Sequence, residues 1–163
     1  MSGYVLNLSS NLCLGCQYSC QVCVTNFTNQ CSSCNSSYYR TLNTTTKQCP
    51  CNVGYYDNNA PLCLACSYTC YTCTSLASFC TACMVGSNRI LNSTAGTCNC
   101  NQRYYDTIVF YVQNVVCASC PYMCSSCTNS SACLTCNSTN FRIFDSLNVR
   151  CICMQGYYDN GTN

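Results

Sequence analysis

Nowhere in the 163-residue chain do apolar positions settle into a helical period of useful length, and no apolar run approaches the span of a membrane. Three segments instead mix aromatic, aliphatic and Arg positions: Tyr-Tyr-Arg-Thr-Leu at 38–42, Asn-Arg-Ile-Leu-Asn at 88–92 and Phe-Arg-Ile-Phe-Asp at 141–145. Ser, Thr and Asn turn residues close each of them, so each predicts a short β-hairpin arm. Three further segments, VTNFTNQ at 24–30, TSLASF at 74–79 and TNSSA at 128–132, are polar and change length from one to the next, which predicts exposed loops. The most β-prone run, VFYVQNVV at 109–116, reads as an extended joint.

Composition rules out an ordinary apolar core. Leu, Ile, Val and Phe number 30, there is no Trp, and 24 Cys with 14 Tyr make up about half of the 48% hydrophobic content. So many cysteines in so few aliphatic residues predict a covalently stapled scaffold whose cross-links replace the core. Charged residues are 6% of the chain and the net charge is +2, which gives no basic stripe for a nucleic-acid backbone. A disulfide scaffold must pass through an oxidising compartment, yet MSGYVLNLSS has neither the basic nor the apolar region of a secretory signal. The expectation is that such a signal lies outside these residues.

The cysteines repeat. Cys13, Cys16, Cys20, Cys23, Cys31, Cys34, Cys49 and Cys51 are followed by Cys63, Cys66, Cys70, Cys73, Cys80, Cys83, Cys98 and Cys100, then by Cys117, Cys120, Cys124, Cys127, Cys133, Cys136, Cys151 and Cys153. Each octet reads C-x2-C-x3-C-x2-C, a gap of five to seven residues, then C-x2-C-x14-C-x-C. This divides the chain into the end of a preceding unit or joint at 1–12, units at 13–62 and 63–116, and a third at 117–163 that stops before another would begin. Other residues recur once per unit: Tyr18, Tyr68 and Tyr122; Arg40, Arg89 and Arg142; and a Tyr-Tyr-Asp triplet ending in Asp57, Asp106 and Asp159. Features used once per unit predict architecture, with each Asp capping a turn or pairing with an Arg of a neighbouring unit, and Arg stacking on Tyr.

Acid–base catalysis finds few candidates, because the chain has no His and no Glu and three of its four Asp are these repeat positions. One carboxylate in Asp57-Asn58-Asn59 falls short of a calcium loop. Metal remains an alternative to disulfides at this stage: Cys13, Cys16, Cys31 and Cys34 have the spacing of a four-cysteine zinc site, although that site would ignore half of the unit's cysteines. The expectation is no metal and no cofactor. Sequons begin at Asn7, Asn26, Asn35, Asn43, Asn92, Asn129, Asn137 and Asn160, none with a central Pro, and predict attached glycans that supply the solubility the missing charges do not.

The order C-x2-C-x3-C-x2-C, then C-x2-C, then a closing cysteine pair followed by Gly-Tyr-Tyr resembles the furin-like repeats of growth-factor-receptor cysteine-rich domains and proprotein convertases. It departs from them in leaving only one residue between the last two cysteines. The Asn-, Ser- and Thr-rich, charge-poor composition is similar to cysteine-rich surface proteins of ciliates and other protists. The resemblance implies Cys16–Cys23, Cys20–Cys31 and Cys34–Cys49 in the first unit. It implies Cys66–Cys73, Cys70–Cys80 and Cys83–Cys98 in the second, and Cys120–Cys127, Cys124–Cys133 and Cys136–Cys151 in the third. Cys51–Cys63 and Cys100–Cys117 would then cross the joints, leaving Cys13 and Cys153 for bonds beyond this stretch or between subunits. Such units stack into an elongated rod, small, disulfide-rich and mostly irregular with short β-hairpins.

Repetition without a unique site points to a structural component of an extracellular, glycosylated rod or fibril. Its partners would be further units or copies of itself, end to end, with no nucleic acid and no membrane contact in this stretch. The alternative is the ligand-binding or adhesive stalk of a cell-surface receptor-like protein, for which 109–116 is the one patch found in a single unit. A noncatalytic spacer of a secreted protease is allowed by the resemblance alone.

Overall fold

The computed structural model describes residues 3–107 and 115–161. Most of the 109–116 run therefore lies outside the described residues; of it, Val115 and Val116 are seen. Every sheet among the described residues is a two-stranded antiparallel ladder. In chain order these are β1 (Tyr4–Asn7) with β2 (Leu12–Gly15), β3 (Val22–Val24) with β4 (Phe27–Ser33), and β5 (Tyr55–Tyr56) with β6 (Leu64–Ala65). Next come β7 (Thr72–Cys73) with β8 (Cys80–Ala82), β9 (Arg89–Asn92) with β10 (Thr97–Cys100), and β11 (Tyr104–Tyr105) with β12 (Ala118–Ser119). Finally β13 (Cys124–Cys127) pairs with β14 (Cys133–Cys136), and β15 (Arg142–Asp145) with β16 (Arg150–Cys153).

Three kinds of hairpin recur. The arms expected from the 14-residue stretches are present as β9/β10 and β15/β16, and as the isolated bridges Arg40↔Cys51 and Asn43↔Gln48 in the first unit. Joint hairpins, β5/β6 and β11/β12, pair the first two Tyr-Tyr pairs with the strand after the next unit's first cysteine, and β1/β2 repeats that pairing at the start. The third kind differs from expectation. The segments around 24–30, 74–79 and 128–132 lie in or between the strands of β3/β4, β7/β8 and β13/β14 rather than in plain loops. Cross-linking explains the order: Cys23 sits opposite Cys31, Cys73 opposite Cys80 and Cys127 opposite Cys133, and disulfides from these residues to Cys16, Cys20, Cys66, Cys70, Cys120 and Cys124 hold both sides however long the tip is. The only helical elements among the described residues are two short 3₁₀ turns, Ser36–Tyr38 and Ser138–Asn140.

Eleven disulfides join the cysteine pairs named above. They close loops of 7 to 17 residues. Loops of this size each restrict the unfolded chain by an amount worth about 2–4 kcal/mol. Sulfur also fills the interior, which is split into three clusters along the chain. Cys20, Cys23, Cys31 and Cys49 gather with Val5; Cys66, Cys70, Cys73, Cys80 and Cys98 form the second; Cys124, Cys127, Cys133 and Cys151 form the third. Tyr56 packs on the second cluster and Tyr105 on the third, so each joint strand reaches the interior of the unit that follows it.

The arm turns show how tightly the period is held. Asn43, Asn92 and Asp145 each accept backbone N–H groups two or three residues on, and the residue four after each has positive φ: Lys47 at 56°, Gly96 at 65° and Val149 at 51°. Gly96 is required twice over, since a Cβ there would lie 2.5 Å from the Phe79 ring. Val149 is β-branched, the residue class least suited to left-handed backbone. Val149→Gly relieves a cost of about 1–2 kcal/mol and gives back part of it in unfolded-chain entropy. Its melting temperature is expected to rise slightly above wild type, and a fall measured by calorimetry would show that the Val side chain contributes packing that outweighs the strain.

Candidate functional site

The residue before each repeated Arg also takes left-handed backbone: Tyr39 at φ 57°, Asn88 at 55° and Phe141 at 54°. In the first and third units it ends the 3₁₀ turn, whose N-terminus is capped by Asn35 or Asn137. Reversing the chain here starts the arm with Arg40, Arg89 or Arg142 directly opposite Cys51, Cys100 or Cys153. The three Arg side chains are 1%, 2% and 5% exposed, which places a guanidinium inside each unit.

Each buried cation meets the Asp and the Tyr that recur with it. Arg40 Nη1 meets Asp57 at 3.0 Å, Arg89 Nη2 meets Asp106 at 2.7 Å, and Arg142 Nη2 meets Asp159 at 2.9 Å. Arg89 and Arg142 grip the carboxylate with both terminal nitrogens. Arg40 instead spends Nη2 on the Ala60 carbonyl and Nε on that of Pro61. The recurrent Tyr lies under the cation, 5.4 Å for Tyr18, 5.8 Å for Tyr68 and 5.1 Å for Tyr122, and its hydroxyl donates to the same Asp. The carbonyls of Cys49 and Cys98 also accept from Arg40 and Arg89.

Of the two roles expected for each Asp, pairing with an Arg of a neighbouring unit is corrected by this geometry, whereas turn capping is seen at Asp57 and Asp159, which accept from the Asn59 and Gly161 amides. Arg and Asp are 17 residues apart in one unit, because the arm returns the chain to its own base and the turn after the eighth cysteine folds over the Arg. The link to the next unit is made by other atoms. Arg40 holds the carbonyls of Ala60 and Pro61 and Arg89 that of Val115, the residues leading into Cys63 and Cys117. A single side chain thus fixes the arm, the Asp turn and the approach to the joint disulfide.

Aromatic residues add a contact that the repeat comparison missed. Tyr39 stacks on Tyr55 with centroids 4.1 Å apart, and Phe141 on Tyr157 at 4.4 Å. The second unit has Asn88 at this position, whose Nδ2 donates to the Cys117 carbonyl. An aromatic before Arg in two units of three was the available signal.

The remaining candidates separate clearly. Of the four cysteines with zinc-like spacing, Cys16, Cys31 and Cys34 belong to three different disulfides, and Cys13 is an exposed thiol. Cys153 is the other thiol, half-buried. All eight sequon Asn residues lie at or near the surface. Asn7, Asn35, Asn43, Asn129 and Asn137 accept through Oδ1 from the amide two residues on, Asn92 from the amide three residues on, and Asn26 from the distant Leu8 amide.

No known family matches the chain, and no solved structure matches it. Over 70 residues it is 33% identical to Cysteine repeat modular protein 2 of the ciliate Tetrahymena thermophila. That stretch is 42% of this chain and 4% of the ciliate protein. With eleven disulfides this is a cysteine-rich, tandem-repeat-like protein, similar over that stretch to a ciliate one and suited to an oxidising compartment.

Removing a buried guanidinium strands several acceptors at once. Arg89→Ala is expected to destabilise by about 1–3 kcal/mol, with Arg89→Lys recovering only part because an ammonium lacks the planar fork. Thermal unfolding measures both, and an unchanged melting temperature in Arg89→Ala would remove the node from the account.

Acid should act on the same node. The hydrogen bond from Arg142, then those from the Gly161 amide and Tyr122, hold the Asp159 carboxyl well below the ordinary carboxylate range. Burial pushes Asp57 up, but bonds from Arg40, the Asn59 amide and Tyr18, with the Arg40 charge, outweigh it and lower it too. Folded values below unfolded ones mean that this stabilisation is complete above the ordinary range and is lost as pH falls through the folded values. The melting temperature should be flat from neutral to about pH 5 and fall below about pH 4. A flat acid limb, or one that Asp159→Asn leaves unaltered, would contradict the assignment.

Proposed function

We propose that the chain is a non-enzymatic structural segment of an extracellular, glycosylated rod or fibril, built from furin-like units that join end to end. One observation carries the reading: the only elaborate polar site among the described residues is made once per unit, in the same way, and each copy in the first two units holds the chain leading to a joint. A ligand-specific site would be expected in a single unit. Its partners are further units of the same kind and covalently attached glycans, and its location is the cell surface or the extracellular space. The ciliate relative is itself named for modular cysteine repeats, which agrees with a longer array.

Electron microscopy of the native material should show filaments or long rods with a regular axial repeat; isolated compact particles would overturn the reading. Peptide mass spectrometry after N-glycosidase treatment of the same sample should find conversion at Asn26, Asn35, Asn92, Asn129 and Asn137. All five unmodified would make the sequons accidents of an Asn-rich composition.

A further inference from the structure

The joints share one strand register, and that register shows their recognition chemistry. In the finished joints Tyr55 pairs with Ala65 and Tyr56 with Leu64, and Tyr104 pairs with Ser119 and Tyr105 with Ala118. The same ladder places Tyr4 against Gly15 and Val5 against Leu14. A small residue therefore always faces the first aromatic: Ala65, Ser119 or Gly15. Two residues before it stands the cysteine that, at Cys63 and Cys117, bonds to Cys51 and Cys100 with Cα atoms 5.8 Å apart.

A fourth copy of the receiving strand is preformed. Gly156 has φ 90°, matching Gly54 at 84° and Arg103 at 69°. Tyr157 is stacked on Phe141 as Tyr55 is on Tyr39, and Asp159 is locked to Arg142. Nothing among the described residues pairs with Tyr157 and Tyr158; Tyr158 is 87% exposed, where its equivalent Val5 is 8% exposed. Cys153 carries a thiol with Arg142 Nη1 4.0 Å from its sulfur. Cys13 is the more exposed thiol, but its strand already carries β1.

We propose that Cys153, Tyr157 and Tyr158 form a docking edge for one kind of partner: the leading strand of a further cysteine-rich unit, with the pattern Cys-x-small. The strand adds antiparallel to Tyr157 and Tyr158, and its cysteine becomes covalently bound to Cys153. This rests on the end-to-end reading and deepens it by naming the strand pattern that the Cys153 edge recognises. Bond formation from two thiols passes two electrons and two protons to a disulfide oxidant, which leaves as two thiols. Starting from a mixed disulfide, the Cys153 thiolate attacks the incoming cysteine's sulfur, the old S–S bond breaks, and the leaving thiol takes the electron pair and a proton.

The test uses the intact oxidised chain and a synthetic peptide of residues 60–66 carrying Cys66→Ser, with its Cys63 activated as a pyridyl mixed disulfide. Glutathione disulfide serves as the untemplated reagent, and peptide mass spectrometry gives the rate at each thiol. Access alone favours Cys13, so glutathione disulfide should modify Cys13 first. The peptide should invert that order, reacting about ten-fold faster at Cys153 than at Cys13, and the inversion should vanish when the peptide also carries Ala65→Leu. The same Cys153-to-Cys13 ratio for peptide and glutathione disulfide would overturn the docking edge while leaving filaments to be judged by microscopy. Inversion without filaments in the native material would keep the edge and sink the fibril.

Discussion

Everything in this molecule depends on sulfur standing where aliphatic side chains would normally be. Of the 17 buried hydrophobic residues among the described ones, 15 are cysteines and the other two are Val5 and Val115, so no apolar cluster exists that the disulfides merely reinforce. The consequence is local: loops of 7 to 17 residues are closed within a unit or across one joint, and each cluster draws on its own unit plus one residue from the preceding joint. Stability of this kind is repeated along the chain rather than gathered in one place, as nearest-neighbour repeat proteins require.

Cross-links alone do not orient one unit on the next, because a disulfide leaves torsional freedom about its bonds. The buried guanidinium supplies the missing direction. Arg40 and Arg89 each bind the base of their arm, their Asp turn and the carbonyls leading into the next unit's first cysteine, while a Tyr ring covers the cation. Exposed ion pairs contribute little, but a buried Arg with all three nitrogens engaged cannot be removed without leaving several polar groups unpaired. A chain with 6% charged residues thus commits half of its Arg and Lys and three of its four Asp to this one device.

Much of this was legible because three copies sit in one chain. The cysteine period, the arms, and the recurrence of Arg, Tyr and Asp could be read without coordinates. Pairing of Arg with the Asp of its own unit could not, since the sequence shows the two 17 residues apart but not that the arm brings the chain back to its base. The hairpins at 24–30, 74–79 and 128–132 were hidden for a different reason: polar tips of variable length carry no strand signal, and it is the flanking cysteines that impose the ladder. Positive φ at Lys47 and Val149 is likewise invisible in those residues and intelligible only beside Gly96.

The same local bonds recur in every unit, and the joints are bonded between successive units. Nonreducing peptide mapping by mass spectrometry with fragmentation of linked peptides tests this pattern directly. The map should show the set 16–23, 20–31 and 34–49 with its two equivalents, joint bonds 51–63 and 100–117, and no bond from Cys13 or Cys153 to another cysteine of this stretch. A bond between non-adjacent units, or a different order within one unit than in the others, would contradict it.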